Sequence, residues 1–296
     1  MGPPVWTVRA APAKLNLALE VTRRREDGYH ELVAVAQTID WTDLVGWTPD
    51  RASAPAGAPG PSPVHLSGTA ADGLDGAREN LVATAARALA DAGAPPPPGR
   101  FWLWKRIPVG SGLGGGSADA AAALQLLGAG HADAQGRAAT RLGADVPFAL
   151  CQGTALVTGI GDRLEVLPPL RDGWFVVVVL ARVITADAYR RTAAADFSAG
   201  DRARALAEHL RGGGHPTGPL CGSALEAAAG RAVAALPGRA QALRAGVPDT
   251  WWAMTGSGGA YFTWAPARAA AAAHAAAARA ACPEASIRLA RPVPPP

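Results

Sequence analysis

Residues 110–119 read GSGLGGGSAD, and seven of these ten positions are Gly or Ser. On the amino side, RFWLWKRIP (100–108) has the apolar content of a strand and closes on a proline. On the carboxyl side, ADAAAALQLL (118–127) is strongly helix-forming. A strand, a glycine run and a helix start are suited to anions. Glycine lets backbone N–H groups approach a phosphate with no Cβ in the way. The helix start adds free donors and a partial positive charge. Ser117 can cap the helix or touch a phosphate oxygen. A flexible linker would share the composition, but linkers do not usually join a strand ending in proline to so helical a stretch.

Several phosphate sites use glycine. A P-loop needs a lysine directly after its last glycine, and none follows here. The HRD and DFG motifs of protein kinases are absent. Gly110, Gly112 and Gly115 do fit GxGxxG. The dinucleotide fold would then require a second strand ending in an acid about twenty residues on. Asp133 lies near that distance, but GAGHADAQGR around it does not read as a strand. A nicotinamide-dependent oxidoreductase is therefore the alternative from another class.

The whole chain narrows the field. Its 296 residues, 49% hydrophobic, can bury one large core or two moderate ones. Only 18% are charged and the net charge is +4, carried mostly by scattered arginines. That balance fits an anionic small molecule and lacks the dense basic or basic–aromatic stripe of a nucleic-acid binder. Cys151, Cys221 and Cys282 lie far apart with no zinc spacing, which points to a reducing compartment. The first residues carry no apolar signal segment, and WFVVVVLA (174–181) is strand-sized and too short to span a bilayer. The expectation is a cytoplasmic protein, monomer or homodimer, whose partner is a small-molecule substrate, with no nucleic acid and no membrane.

Periodicity gives the order of elements. VWTVRAAPAKLNLALEV reads as one or two strands, EDGYHEL as a turn, and LVAVAQTIDWTDLVGWT as a returning strand. Residues 49–63 are a Pro/Ala/Gly/Ser loop. Helix follows over 79–94, with Asn80 as N-cap. GRAATRLGADVPFAL reads as one short helix ending near Gly143, and GTALVTGIGDRLEVL as a hairpin. PPLRDG (168–173) reads as an interdomain joint, dividing the chain into 1–167 and 168–296. Beyond it come a buried strand at 174–181, helices around 186–193, 201–210, 223–235 and 239–245, strands TWWAM and YFTW about the loop TGSGGA, a helix over 266–281 and a last strand, SIRLA.

Set beside this outline, PVGSGLGGGSADAA (108–121) resembles the nucleotide loop of the GHMP kinases. Within that superfamily, APAKLNLALEVTRRREDGYHEL (11–32), ENLVATAARAL (79–89), RLGADVPFAL (141–150) and MTGSGGAYF (254–262) resemble the family that phosphorylates 4-diphosphocytidyl-2-C-methyl-D-erythritol in the non-mevalonate isoprenoid pathway. The resemblance implies an α+β, two-domain GHMP kinase: a ribosomal-S5-domain-2-like N-terminal, ATP-binding domain and a ferredoxin-like C-terminal domain. It implies ATP and Mg²⁺, and phosphorylation of the substrate's 2-hydroxyl. Pro108, Val109, Gly110, Ser111, Gly112, Leu113, Gly114, Gly115, Gly116, Ser117 and Ala118 would hold ATP. Homoserine and mevalonate kinases are the nearest alternatives, and DGYHEL speaks against them.

The resemblance also assigns single residues. From local sequence alone, Lys14 reads as a lysine snorkelling from a strand and Asp145 as a turn aspartate. In the family these positions are a Lys–Asp pair at the acceptor hydroxyl, with Asp145 as its base. Asn16, two residues along the strand from Lys14, faces the same way and would bind substrate, unless it is a satisfied strand amide. Tyr29 and His30 would form the cytosine pocket. Thr185, read locally as the N-cap of the helix after the buried strand, would lie near the cytidine. Ser117 is a candidate for Mg²⁺. Arg23–Arg25 read as a solvated rim or a patch steering the diphosphate. One departure stands out: LCGSALEAA (220–228) has Ser223 where the family pattern suggests Asn.

Overall fold

The computed structural model describes residues 5–50, 64–71 and 80–296. Beyond Asp50, the loop expected at 49–63 lies outside the described residues. The chain is mixed α and β and divides into two compact units. Counting described residues only, one takes in 1–13, 41–107 and 114–151, and the other 14–40, 108–113 and 152–296.

Two long strands belong partly to each unit: β1 (Thr7–Arg24) and β2 (His30–Pro49). Each is a single run, so the expectation of one or two strands resolves to one. In the first unit β2 continues into an antiparallel pairing with β4 (Gly99–Trp104), from Leu44 opposite Trp104 to Pro49 opposite Gly99. β3 (Val64–Ser67), a strand the periodicity did not foresee, lies parallel to β4. Helices α1 (Leu81–Asp91), α2 (Gly115–Leu127), α3 (Ala132–Leu142) and α4 (Val146–Cys151) share the apolar core of this unit with Phe101, Leu103 and Val45. Ala118 and Ala120–Ala123 of α2 are all buried. A helix apolar all round sits inside a core, and alanine leaves no room for a larger side chain between close-packed helices.

Local chemistry sets the boundaries. Asn80 caps α1, its Oδ1 accepting from the Val82 amide at 3.0 Å. The cap of α2 is Gly114, at φ 69°, and not Ser117, which lies in the first helical turn. Only glycine takes that backbone freely, so the start is fixed three residues earlier than the hydroxyl suggested. The helix read in GRAATRLGADVPFAL ends near Gly143 as expected, where the chain leaves the helical region, and a second, unforeseen helix, α4, follows. α3 begins at Ala132, four residues before the stretch read as helix.

In the second unit β2 pairs antiparallel with β5 (Thr154–Gly159), and β5 with β6 (Arg163–Val166), the expected hairpin. β1 pairs parallel with β8 (Gly222–Ser223). A separate sheet runs in the order β11-β7-β10-β9, from β7 (Trp174–Val179), β9 (Ala253–Met254), β10 (Ala260–Ala265) and β11 (Ser286–Ala290). Phe175–Val178 are buried, as their unbroken apolar run requires. TWWAM gives only two residues to this ladder, Ala253 and Met254. Helices α5 (Thr185–Arg190), α6 (Asp201–Arg211), α7 (Glu226–Ala232), α8 (Leu236–Gly246) and α9 (Arg268–Ala281) complete the unit. Thr185 is the first residue of α5 and Ile184 its cap, so the Thr185 hydroxyl is free of the capping role expected for it. No helix among the described residues is long and apolar enough to cross a membrane.

The dinucleotide reading fails on topology. α2 leads into α3 and α4, and the next strand, β5, does not pair with β4 but lies antiparallel to both of its partners, β2 and β6. A dinucleotide fold needs a parallel strand there.

Candidate active site

In the second unit β1, the first half of the glycine loop and the TGSGGA turn meet. The Lys14 amide donates to the Leu113 carbonyl at 2.9 Å, tying the strand to the loop. Two residues along, the Asn16 amide donates to Thr255 Oγ1 at 2.7 Å. The Ala260 amide donates to the Ser111 carbonyl (3.0 Å), and the Val183 amide to the Gly110 carbonyl (2.7 Å). A Cβ on Gly112 would lie 2.8 Å from the Thr255 carbonyl oxygen, so the two glycine-rich loops touch backbone to backbone. The Thr185 hydroxyl lies 2.9 Å from that of Ser257. Strand β1, the loop 108–113, the start of α5 and the turn 255–260 therefore converge, although they are scattered over the sequence.

Side chains divide the loop's labour. Ser111 donates its hydroxyl to the Pro108 carbonyl at 2.6 Å and is buried, as is Leu113. These side chains serve the fold. Lys14 and Asn16 are buried at 8% and 7% exposure, which removes the snorkelling alternative for Lys14. Ser223 stands in well for the expected Asn: its Oγ donates to the Gly256 carbonyl at 2.7 Å and accepts from the Leu225 amide at 3.2 Å.

At the turn, Tyr29 is 60% exposed, with its amide on Asp27 Oδ1. His30 is half-buried and meets Tyr189 at 5.2 Å between ring centroids and Phe197 at 6.3 Å. Burial first, and then the charge of Arg24, hold its pKa below the ordinary histidine value, so the ring is neutral at pH 7. The sequence reading missed Tyr189 and Phe197. Arg23 is bonded through Nε and Nη2 to Glu31, and Arg25 pairs with Asp27. The basic cluster is thus largely neutralised at an exposed rim.

In the first unit Gly114, Gly115, Gly116, Ser117 and Ala118 form the start of α2. Asp145 lies just before α4, with its carbonyl accepting from the Ala149 amide at 3.1 Å. Beneath α2 is a group the sequence reading did not single out. Lys105 Nζ bonds Asp119 Oδ2 at 2.6 Å and also Asp43 Oδ2. All three side chains are at most 4% exposed. Period-2 alternation was the available signal: Phe101, Leu103 and Lys105 share one face of their strand, and the first two are core residues.

A cavity of about 920 Å³ elsewhere in the second unit is lined in part by Glu20, Arg202, Arg231, Arg244 and Tyr261. Arg231 and Arg244 there are already paired with Asp196 and Glu226. Of the residues singled out by sequence it includes only Ser223.

Known proteins agree with this geometry. The GHMP kinases N terminal domain matches residues 80–153, which contain the whole strand–loop–helix unit, from β4 through the glycine loop to α2, and Asp145. A 4-diphosphocytidyl-2-C-methyl-D-erythritol kinase of Rhodospirillum rubrum is 35% identical over 216 residues, covering 69% of this chain and 68% of the relative. A crystal structure of 4-(cytidine 5'-diphospho)-2C-methyl-D-erythritol kinase is 34% identical, covers 96% of this chain and 99% of that one, and superposes with a TM-score of 0.71. This chain belongs to the 4-diphosphocytidyl-2-C-methyl-D-erythritol kinase family.

The GHMP kinase fold, α+β as expected, is also shared by more distant solved structures. Homoserine kinase from Cytophaga hutchinsonii is 17% identical with a TM-score of 0.71, a likeness of fold alone. The relative from Granulibacter bethesdensis is 45% identical over 168 residues, 55% of this chain, and the match spans 54% of that protein's length. The chain thus matches about half the length of the first curated members of the family.

Proposed function

We propose that this chain is an ATP-dependent kinase that phosphorylates the 2-hydroxyl of 4-diphosphocytidyl-2-C-methyl-D-erythritol in the non-mevalonate isoprenoid pathway. One observation carries the phosphate site. Gly116 has no positive φ, and a Cβ built on it would meet none of the described residues within 4 Å. Nothing in the fold asks for glycine there, in the first turn of a helix, where Gly costs up to about 1 kcal/mol against Ala. A phosphate seated against the first amides of α2 accounts for it: a methyl group would stand in that place.

In this reading the terminal phosphoryl group leaves ADP and bonds to the acceptor oxygen, while the hydroxyl proton passes to Asp145. Such a base contributes roughly 10²–10⁴-fold. Lys14 orients the hydroxyl and the γ-phosphate. Most of the acceleration comes from positioning and charge neutralisation, since phosphoryl transfer asks little covalent help. The magnesium ion that accompanies ATP supplies part of that neutralisation. Among the described residues no three His, Cys, Asp or Glu side chains gather as a metal site. The cation would therefore be held chiefly by the phosphates, with the Ser117 hydroxyl as its protein ligand. Asn16 binds substrate hydroxyls. Tyr29 and His30 take the cytosine, and Tyr189, whose ring packs on His30, joins them. Thr185, bonded to Ser257, borders the same side.

The ATP-binding domain is assigned to 1–167 and the C-terminal domain to 168–296, supported by the sheet β11-β7-β10-β9, all of whose strands lie beyond that boundary. A cytoplasmic location is supported by three unpaired cysteines, of which Cys221 is buried with its thiol pKa pushed up to about 12, by burial foremost. Coupled ADP release tests the activity, with the cytidine diphosphate substrate, mevalonate and homoserine offered separately. Turnover with the first alone is expected. Preference for mevalonate or homoserine would move the chain to another GHMP activity.

A further inference from the structure

We infer that Asp43, Lys105 and Asp119 form a buried ionic clasp that fixes the two stems of the glycine loop, and that they are positioning residues for nucleotide binding. The inference rests on reading the loop as an ATP site.

The clasp is a continuous chain of bonds. Past Trp104 the strand ladder has ended, and the next backbone N–H groups need other partners. Asp43 Oδ1 accepts from both the Arg106 and Ile107 amides, the latter at 2.8 Å. Its Oδ2 takes Lys105 Nζ, and the same ammonium reaches Asp119 Oδ2 at 2.6 Å. Asp119 stands on α2 just past its first turn. The outgoing stem at 105–107 and the returning stem on α2 are therefore held together through one ammonium. They also touch directly: a Cβ on Gly115 would lie 3.0 Å from Ile107 Cγ2 and 3.3 Å from Lys105 Nζ.

Core stability does not require such a device. Removing three charges from water is costly, and well-packed apolar residues often serve as well or better. The rest of this core is alanine, leucine, valine and phenylalanine. Asp119 Oδ1 is, moreover, buried with no hydrogen-bond partner among the described residues. What the charges add is direction. Two carboxylates and one ammonium set the spacing of the stems to hydrogen-bond tolerance, and phosphoryl transfer depends on position at about the 1 Å level.

The test uses the full chain and three variants. ATP binding is measured by calorimetric titration, KM is measured for ATP and for the alcohol substrate, and thermal unfolding reports the fold. Asp119→Ala leaves Lys105 paired with Asp43, so the fold is expected to survive. Its dissociation constant and KM for ATP should rise about tenfold or more, while KM for the alcohol changes less than about threefold. Asp119→Asn, which restores an acceptor oxygen to Lys105, should recover most of that loss. Lys105→Met should be at least as impaired as Asp119→Ala. If folded Asp119→Ala binds ATP within about twofold of wild type, or loses both substrates equally, the clasp is only core support and the inference falls. Wild-type protein that binds no ATP would overturn the proposed function first, and this inference with it.

Discussion

The two glycine-rich loops, 110–116 and 255–260, look alike as sequence and do different work. In the second loop the fold consumes the glycines. Gly259 has φ +94°, and a Cβ there would lie 2.3 Å from the Ala181 carbonyl oxygen and 3.0 Å from that of Gly110. The turn closes on itself through the Thr255 amide and the Ala260 carbonyl at 3.0 Å. In the first loop, part of the run is consumed in the same way, at Gly112 and Gly114, but Gly116 is not. The first loop also has charged stems, whereas the second has neutral ones, Met254 and Tyr261 among them. A glycine can mark a place where the protein has no room, or a place where it keeps room for something else.

The largest effect expected separates holding phosphate from using it. Asp145→Asn should lower kcat by about 10²–10⁴-fold with ATP affinity retained. Single-turnover kinetics beside a binding titration would check it, and wild-type kcat would remove Asp145 from the chemistry. Next, Gly259→Ala adds left-handed strain and a backbone clash together. A loss of more than about 3 kcal/mol in a urea titration is expected, or failure to fold. A mild cost there would mean that the second loop, too, keeps room open.

The charged stems give a pH signature. Burial foremost, with Asp43 adding and Lys105 opposing, pushes the Asp119 carboxyl up to about 7. An acid raised in the folded state binds a proton that the unfolded chain releases. Its stabilising share is therefore complete below the unfolded value of about 4 and falls away as pH rises through about 7. The urea midpoint of wild type should drop between pH 5 and pH 8 by more than that of Asp119→Asn. Parallel profiles would show that Asp119 titrates no differently when folded.

What could be read from sequence was local. The strand–glycine–helix signal needs only neighbours, so α2 and its loop were legible, as were Asn80 as a cap and the hairpin at 154–166. The errors were also local ones. Ser117 and Thr185 were chosen as caps by residue type, while backbone conformation put the caps at Gly114 and Ile184. The end of α3 near Gly143 was legible, but its first four residues were missed because HADAQGR carries polar residues and a glycine where apolar periodicity was sought. The clasp was beyond reach for another reason. Asp43 and Lys105 are 62 residues apart, and neither is informative until sheet pairing brings them together. The tilted ring contact of Tyr189 with His30 is hidden in the same way. Lys14 and Asp145 drew their meaning from the family pattern, since each alone fits a commonplace surface role.

The smallest effect is the most discriminating. At Gly116 the two meanings of glycine predict opposite results for one methyl group. If the fold needed the glycine, Gly116→Ala would destabilise. Its φ is not positive, its Cβ would meet none of the described residues within 4 Å, and it lies in the first turn of α2. Alanine should therefore raise stability by up to about 1 kcal/mol through helix propensity and a less flexible unfolded chain. The same methyl would occupy the approach to the amides of α2, so KM for ATP should rise about tenfold, a loss of about 1.4 kcal/mol. KM for the alcohol should stay near wild type. A variant that is more stable and binds ATP normally would show that no phosphate sits against this turn. One that is less stable would show that the space belongs to the fold, as it does at Gly259.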